Sequence, residues 1–174
     1  INQLKKRPRL IVMDTMNFWM DIAMDDLKTV LKKVDVLLVN DGEARQLSGE
    51  VSLVKAAKAI MAMGPQYLII KKGEHGALLF HQNSVFFAPA LPLEDVIDPT
   101  GAGDTFAGGF TGYLAKVKDI SFDSMKTAII VGSAMASFCV EKFGPERLKE
   151  ITADDITARI NEFVQLVNFD IDLI

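Results

Sequence analysis

The segment Asp98-Pro99-Thr100-Gly101-Ala102-Gly103-Asp104-Thr105-Phe106 places two glycines and two carboxylates directly before a helix-like stretch. Gly101 and Gly103 permit backbone angles that other residues avoid, and they let a ligand approach the backbone amides. A helix that begins here directs free N–H groups and a partial positive charge toward the turn. The turn therefore predicts a site for a phosphate, or for negative charge that develops in a transition state.

Asp104 within the same turn would repel a simple phosphate ligand, which suggests that this carboxylate has a catalytic task. A kinase needs a base for the proton of the attacking hydroxyl, close to groups that stabilise the transferred phosphoryl group. The structural alternative is that Asp104 caps the helix and the glycines only make the turn. A Walker A loop is absent from the sequence, and Phe106 stands where the dinucleotide fingerprint needs glycine or alanine.

The elements that position this turn follow from short apolar runs that alternate with amphipathic stretches. The apolar runs predict strands covered on both faces, at 10–13, 36–39, 67–70, 77–80 and 85–88, with a hairpin turn at 81–84. Residues 89–99 predict a loop. This order indicates an α/β fold with a mainly parallel sheet covered by helices on both faces, in three layers. Ligands then lie at the carboxyl ends of the strands.

Helical periodicity predicts helices at 25–33, 52–63, 104–115 and 123–141, the second of them capped by Ser52. Thr152 can cap a last helix, whose expected buried stripe is Ile156, Ile160, Phe163, Val164 and Val167.

The glycine-rich turn resembles the C-terminal signature of the PfkB, or ribokinase-like, family of small-molecule kinases, with Pro99 at a variable position. The resemblance implies that Asp104 is the catalytic base. It implies that an anion hole is formed by the backbone of Gly101, Ala102 and Gly103. It also implies that Asp98 and Thr100 help to bind a monovalent cation such as K⁺, for which a turn-capping pair is the alternative.

Asn40-Asp41-Gly42-Glu43 follows the second predicted strand. Mg²⁺ keeps several waters and takes only one or two carboxylates besides phosphate oxygens. The family's Asn-x-x-Glu motif, matched by Asn40 and Glu43, implies that these residues order Mg²⁺ and water beside the phosphates of ATP. A helix capping box has the same spacing and is the structural alternative.

Three further parts of the chain match the family less specifically. Lys71 to Gly76 resembles a Gly-x-x-Gly loop that lines the ATP site through Gly73 and Gly76, although two such glycines can simply make a hairpin. Lys71 stands where members often carry Thr. The resemblance also implies that Ser133 borders the adenine of ATP. The small residues around Ser133 suit close helix packing equally well. Relatives place Asp-x-Asn-x-Arg near the first strand, so Asp14 and Asn17 are noted, but no Arg follows.

The composition excludes several other classes of protein. With 49% apolar residues, a net charge of −4 and the lone Cys139 among 174 residues, disorder, a disulfide scaffold and a non-specific nucleic-acid binder are ruled out. No apolar stretch approaches the roughly 20 residues that span a bilayer. We expect a cytoplasmic protein without nucleic-acid or membrane partners.

The resemblance covers Leu10 to about Asn161 and implies an ATP-dependent kinase that phosphorylates a hydroxyl of a sugar or nucleoside-like substrate. Its expected cofactors are ATP, Mg²⁺ and K⁺, and a homodimer is the candidate assembly. The sequence starts at Ile1 and has no counterpart of the family's N-terminal substrate and lid region, so residues 1–174 are interpreted as the C-terminal nucleotide-binding and catalytic part. The second hypothesis is a nucleotide-binding or regulatory module without turnover, in which this chain alone has little kinase activity.

Overall fold

The computed structural model describes residues 1–168, which form two compact units. The first unit comprises Ile1–Gly73 and Ala77–Phe87. The second unit comprises Glu74–Gly76 and the chain from Ala88 onward. Among the described residues, no helix is both long and apolar enough to cross a membrane.

A five-stranded sheet with the strand order β1-β2-β3-β4-β5 is the centre of the first unit. Its strands are β1 (Val12–Asp14), β2 (Val36–Asn40), β3 (Tyr67–Lys71), β4 (Ala77–His81) and β5 (Ser84–Ala88). The first three are parallel, and β4 is antiparallel to β3. Every residue of β2 and β3 except the last is buried, as continuous apolar runs predict. All five predicted strands are therefore present, although the first begins two residues later than expected.

The helices of the first unit are α1 (Asn17–Ile22), α2 (Met24–Leu31), α3 (Asp41–Ser48) and α4 (Leu53–Met61). Helices α3 and α4 pack against each other, and they contact β2 and β3. The core between the elements contains fully buried Leu31, Leu37, Ile60, Leu68 and Ile70. Burial of each such side chain stabilises the fold by roughly 1.5–3 kcal/mol.

Two helices and one cap of the first unit differ from the prediction. Helical periodicity predicts neither helix: α1 has only 6 residues, and α3, which follows β2 without a linker, is indicated only by the capping-box alternative at Asn40 and Glu43. Within α3, only Ala44 and Leu47 are apolar and buried, so its helical periodicity is weak. Ser52 does precede α4, but its side chain makes no capping hydrogen bond.

The second unit contains the three helices α5 (Ala102–Val117), α6 (Phe122–Cys139) and α7 (Ala153–Val167). Residues 89–101 form no helix or strand, which includes the predicted loop at 89–99. Helix α6 contacts both α5 and α7. Phe110, Phe138 and Phe163, one from each helix, are almost fully buried. The predicted α/β class with a mainly parallel sheet is thus confirmed.

The attachment of α7 differs from its predicted apolar stripe. Thr152 makes the expected capping box with Asp155, but Val164 is 57% exposed and Val167 is 51% exposed. Arg159 on α7 instead donates to the hydroxyl of Ser137 at 2.7 Å and to the carboxylate of Glu141 at 2.6 Å. The last two valines of the predicted stripe are therefore exposed, and Arg159 adds polar contacts between α7 and α6.

Candidate active site

Helix α3 begins with a complete capping box. The Oδ1 atom of Asn40 accepts the N–H of Glu43 at 2.7 Å, and Oε2 of Glu43 accepts the N–H of Asn40 at 2.8 Å. Asn40 also ends β2, so the helix starts directly at the carboxyl end of a buried strand. The structural alternative for the Asn-x-x-Glu pattern is therefore realised, at the strand end where a ligand role is expected.

Glu43 is a buried carboxylate, with only 6% of the residue exposed. Burial raises the pKa of Glu43 above its usual value, and the Asn40 N–H and the positive charge of Lys71 oppose that rise. The negative charge of Asp14 acts in the same direction as burial. Glu43, Lys71 and Asp14 thus form one electrostatic group at the ends of the strands.

An ion pair joins the ends of β1 and β3. The Nζ atom of Lys71 lies 2.5 Å from Oδ2 of Asp14, and both side chains are largely covered, at 18% and 25% exposure. The Oδ1 atom of Asp14 accepts the N–H of Thr15 at 2.9 Å. The hydroxyl of Thr15 is buried and has no hydrogen-bond partner among the described residues.

The structure restricts the two glycines of the 71–76 loop in different ways. Gly73 begins a short 3-10 turn at φ +55°, and a Cβ there would meet no atom within 4 Å. Gly76 has φ +81°, and a Cβ there would lie 2.1 Å from the carbonyl oxygen of Ala88. The loop is a tight connection between β3 and β4, so the hairpin alternative accounts for the positive φ of both glycines, and the contact with Ala88 restricts Gly76 further.

Helix α5 begins without a capping side chain, because its N-cap is Gly101 in the left-handed conformation at φ +81°. The N–H of Ala102 donates to the carbonyl of Pro99 at 3.2 Å. In the described part of the chain, no acceptor is found for the N–H groups of Gly103 and Asp104. Asp104 is exposed in the first turn of the helix. The turn therefore offers open amides and a carboxylate together.

Asp98 organises the chain just before this turn. Its Oδ1 atom accepts the N–H of Thr100 at 2.9 Å, and Oδ2 accepts the N–H of Gly144 at 3.4 Å. Hydrogen bonds from the Thr100 backbone and side chain, and from Gly144, hold the pKa of Asp98 below its usual value. These are the contacts of a turn-capping pair, and they keep an ionised carboxylate at the turn.

Helix α6 supports the start of α5 through a close approach. A Cβ at Gly132 would lie 2.8 Å from the carbonyl oxygen of Phe106, so only glycine fits without a shift. Ser133 follows on α6 and is partly buried. The thiol of Cys139, at the end of α6, lies 3.7 Å from the carbonyl of Thr100. Close packing thus accounts for the small residue at position 132.

The structure brings the predicted site residues together in two groups, one in each unit. Asn40, Glu43 and Lys71 share the carboxyl edge of the sheet in the first unit. The second unit holds residues 98–104 and, on α6, Ser133. The sequence indicates Asp14 as a site residue but not its ion pair with Lys71. The two positions could have indicated that pair, since both residues follow apolar runs that end at the same sheet edge.

Comparisons with known proteins identify the family to which this α/β chain belongs. The description of the family model that matches residues 4–151 is pfkB family carbohydrate kinase. The chain therefore belongs to the pfkB family of carbohydrate kinases, as the glycine-rich turn predicts, and the ribokinase-like fold is confirmed.

Individual relatives are kinases for small molecules. A cytidine kinase from Thermococcus kodakarensis is 37% identical over 92 residues, which are 51% of this chain and 33% of the relative. A ribokinase from Haemophilus influenzae is 34% identical over 130 residues, or 72% of this chain and 40% of the relative. The crystal structure of aminoimidazole riboside kinase from Salmonella enterica, complexed with aminoimidazole riboside and an ATP analogue, matches with a TM-score of 0.75 and 25% identity.

The chain is shorter than these relatives. The match to the Salmonella enterica structure covers 87% of this chain and 52% of that one. The chain therefore spans about half the length of the solved relative, and two fifths or less of the two curated relatives.

Proposed function

We propose that this protein is an ATP-dependent kinase that transfers the γ-phosphoryl group of ATP to a hydroxyl of a sugar or nucleoside-like substrate. In this proposal, residues 1–174 are the nucleotide-binding and catalytic part of a kinase domain. Family membership and the names of the relatives support this class of reaction. The single observation that carries the proposal is the uncapped start of α5, with Asp104 in its first turn.

Asp104 is the catalytic base in this mechanism. Its carboxylate accepts the proton of the substrate hydroxyl as the hydroxyl oxygen bonds to the γ-phosphorus. The bond between that phosphorus and the bridging oxygen of ADP breaks, and ADP leaves with the electron pair. A carboxylate that is exposed and lies in the turn with the open amides suits this task.

The anion hole is assigned to the backbone of residues 101–103, with Gly103 as its main donor. The Ala102 N–H already donates to Pro99, whereas no described acceptor takes the Gly103 N–H. The first-turn N–H groups of a helix point out of its N-terminus, where the helix dipole favours negative charge. Such fixed donors stabilise the oxygens of a phosphoryl group without reorganising during the reaction.

The residues at the start of α3 fit Mg²⁺ through water better than through direct contact. Asn40 Oδ1 and Glu43 Oε2 both already accept backbone N–H groups. No group of three or more His, Cys, Asp or Glu in the described chain could hold a metal by itself. Mg²⁺ suits such a sparse site, because it keeps several waters and binds phosphate oxygens. When bound with ATP it neutralises phosphate charge, and Asn40 and Glu43 order the water beside it.

The other predicted ligand residues keep secondary roles in the proposal. Lys71, Gly73 and Gly76 contact the nucleotide, and Ser133 borders its adenine. Asp98 and Thr100 contribute to a K⁺ site, which the ionised Asp98 supports.

The variant Asp104→Asn tests the proposal. Phosphoryl transfer from ATP, measured with a panel of sugars and nucleosides, should fall about 10²–10⁴-fold, because the amide cannot accept the proton. Equilibrium binding of ATP should stay within about twofold. Asp154→Asn is the matched control, since Asp154 is an exposed acidic residue in the first turn of α7.

Unchanged turnover in Asp104→Asn would exclude Asp104 as the base. Binding of ATP by the unmodified protein, without transfer to any acceptor in the panel, would instead support a nucleotide-binding module.

A further inference from the structure

The ion pair between Asp14 and Lys71 spans three strands. Asp14 ends β1 and Lys71 ends β3, and β2 lies between them in the sheet. Neighbouring strands are about 4.8 Å apart, so the two side chains bridge roughly 10 Å of sheet edge. The contact between them is 2.5 Å, although the residues are 57 positions apart in sequence.

The pair lies beside the residues that the proposed function assigns to the Mg²⁺ and water of bound ATP. Asn40 is the direct neighbour of Lys71 in the register of β2 and β3. The charges of Lys71 and Asp14 both act on Glu43. One ammonium group therefore faces two carboxylates, and the three charges sum to −1. A phosphate that approaches this edge is repelled by Asp14 unless Lys71 attracts it more strongly.

The chemistry of the two side chains allows Lys71 to change partner. An ammonium group has three donors and sits on a flexible four-carbon stem, so it can leave one anion for another without backbone movement. Asp14 is more restricted, because its second oxygen accepts the N–H of Thr15. The carboxylate thus stays on β1 while the ammonium group can move.

We infer that Asp14 and the phosphates of the bound nucleotide compete for Lys71, so that Asp14 is a positioning residue that acts through Lys71. In the free protein Asp14 holds the ammonium group at the sheet edge. In the bound protein the polyphosphate, which carries more negative charge than one carboxylate, takes its place. This inference rests on the proposed function and adds a role for Asp14.

Removal of Asp14 should therefore strengthen polyphosphate binding, and most of the gain should require Lys71. The experiment is a double-mutant cycle in the whole protein, with titration calorimetry against inorganic tripolyphosphate, ATP and adenosine in the absence of metal. Asp14→Asn should bind tripolyphosphate and ATP about fivefold more tightly. Lys71→Met should bind both about tenfold more weakly, because a charge-assisted hydrogen bond is lost. The double variant should bind less than about twofold more tightly than Lys71→Met, because only the direct repulsion between Asp14 and the phosphates is then removed.

Two controls accompany the cycle. Lys72→Met removes the next lysine, whose Nζ lies 5.9 Å from the ring centre of Phe87, and it should change tripolyphosphate binding less than twofold. Lys71→Arg keeps the charge and should restore most of the affinity that Lys71→Met loses. Adenosine binding should be the same in all variants, because adenosine has no phosphate.

Each unexpected result of the binding experiment would contradict a different part of the proposal. If Asp14→Asn weakens tripolyphosphate binding, or if its full effect persists in the Lys71→Met background, the competition is wrong. If Asp14→Asn has no effect on binding and only lowers the free energy of unfolding, the ion pair is a structural link between strands. If the unmodified protein binds neither ATP nor tripolyphosphate, and still binds no ATP when Mg²⁺ is added, the proposed function itself fails.

Discussion

The two helices that begin at candidate site residues start in opposite ways. At the start of α3, the side chains of Asn40 and Glu43 each accept a backbone N–H of the other residue. At the start of α5, the N-cap is Gly101, and no side chain caps the helix within the described residues. The start of α3 is therefore capped by its own side chains, whereas the N–H groups of Gly103 and Asp104 at the start of α5 have no acceptor among the described residues.

This difference changes what must hold each helix in place. The capping box joins residues only three positions apart, so α3 is fixed locally. The start of α5 is instead supported from a distance, by the thiol of Cys139 near Thr100 and by the N–H of Gly144 that donates to Asp98. An N-terminus that is open to a ligand gives up its local cap, and tertiary packing has to replace it.

The largest expected effect comes from disturbing that packing at Gly132. In Gly132→Ala, the new Cβ would lie 2.8 Å from the carbonyl oxygen of Phe106, so the first turns of α5 must move. We expect the free energy of unfolding to fall by about 1–3 kcal/mol in urea denaturation. ATP binding should also weaken, because the open amides shift.

Gly108→Ala is the matched control, in α5 itself. A Cβ at Gly108 would meet no atom within 4 Å, and this variant should raise the free energy of unfolding by about 0.5–1 kcal/mol. Equal effects of the two alanines would show that packing against α6 does not hold α5.

A smaller effect is expected from removing the local cap of α3. In Asn40→Ala, the N–H of Glu43 loses its acceptor, and the free energy of unfolding should fall by about 1 kcal/mol. Glu43→Gln keeps a box acceptor and should stay close to the unmodified protein in stability. Urea denaturation of both variants checks this. Equal stability of Asn40→Ala and the unmodified protein would mean that α3 does not depend on its cap.

The smallest effect is expected at the start of a third helix, α6, which is also capped by a side chain. Its N-cap Ser121 accepts the N–H of Ser124, and the carboxylate of Asp119 accepts both serine hydroxyls. Those hydrogen bonds lower the pKa of Asp119 from 3.8 to about 2. A lowered pKa means that the ionised form stabilises the folded state, so this stability is present above about pH 4 and is lost as the pH falls toward 2.

The variant Asp119→Asn should therefore be less stable than the unmodified protein at pH 5, and the difference should disappear by pH 2. Urea denaturation at several pH values measures it. The effect is small because Asp119 is exposed to solvent. A difference that does not change with pH would contradict the assigned cause.

The sequence predicted the features that depend on local pattern. The apolar runs of β2 and β3 and the glycine-rich turn before α5 need only neighbouring residues to be recognised. The pair of Asp14 and Lys71 depends on the order of strands in the sheet, which no local pattern contains. The exposure of Val164 and Val167 is likewise not visible in the local pattern, and α7 is attached through buried Phe163 together with the ion pair of Arg159 and Glu141.

The two glycines of the 71–76 loop have a consequence for how variation in this chain should be interpreted. At Gly76, a side chain would collide with the backbone of Ala88, so selection for folded protein alone would keep glycine there. At Gly73, only the positive φ restricts the residue, and asparagine or aspartate can adopt that angle at modest cost. In a library randomised at both positions, loss of variation at Gly76 therefore carries no information about ATP. Loss of asparagine and aspartate at Gly73 does, because folding alone would tolerate those two residues there.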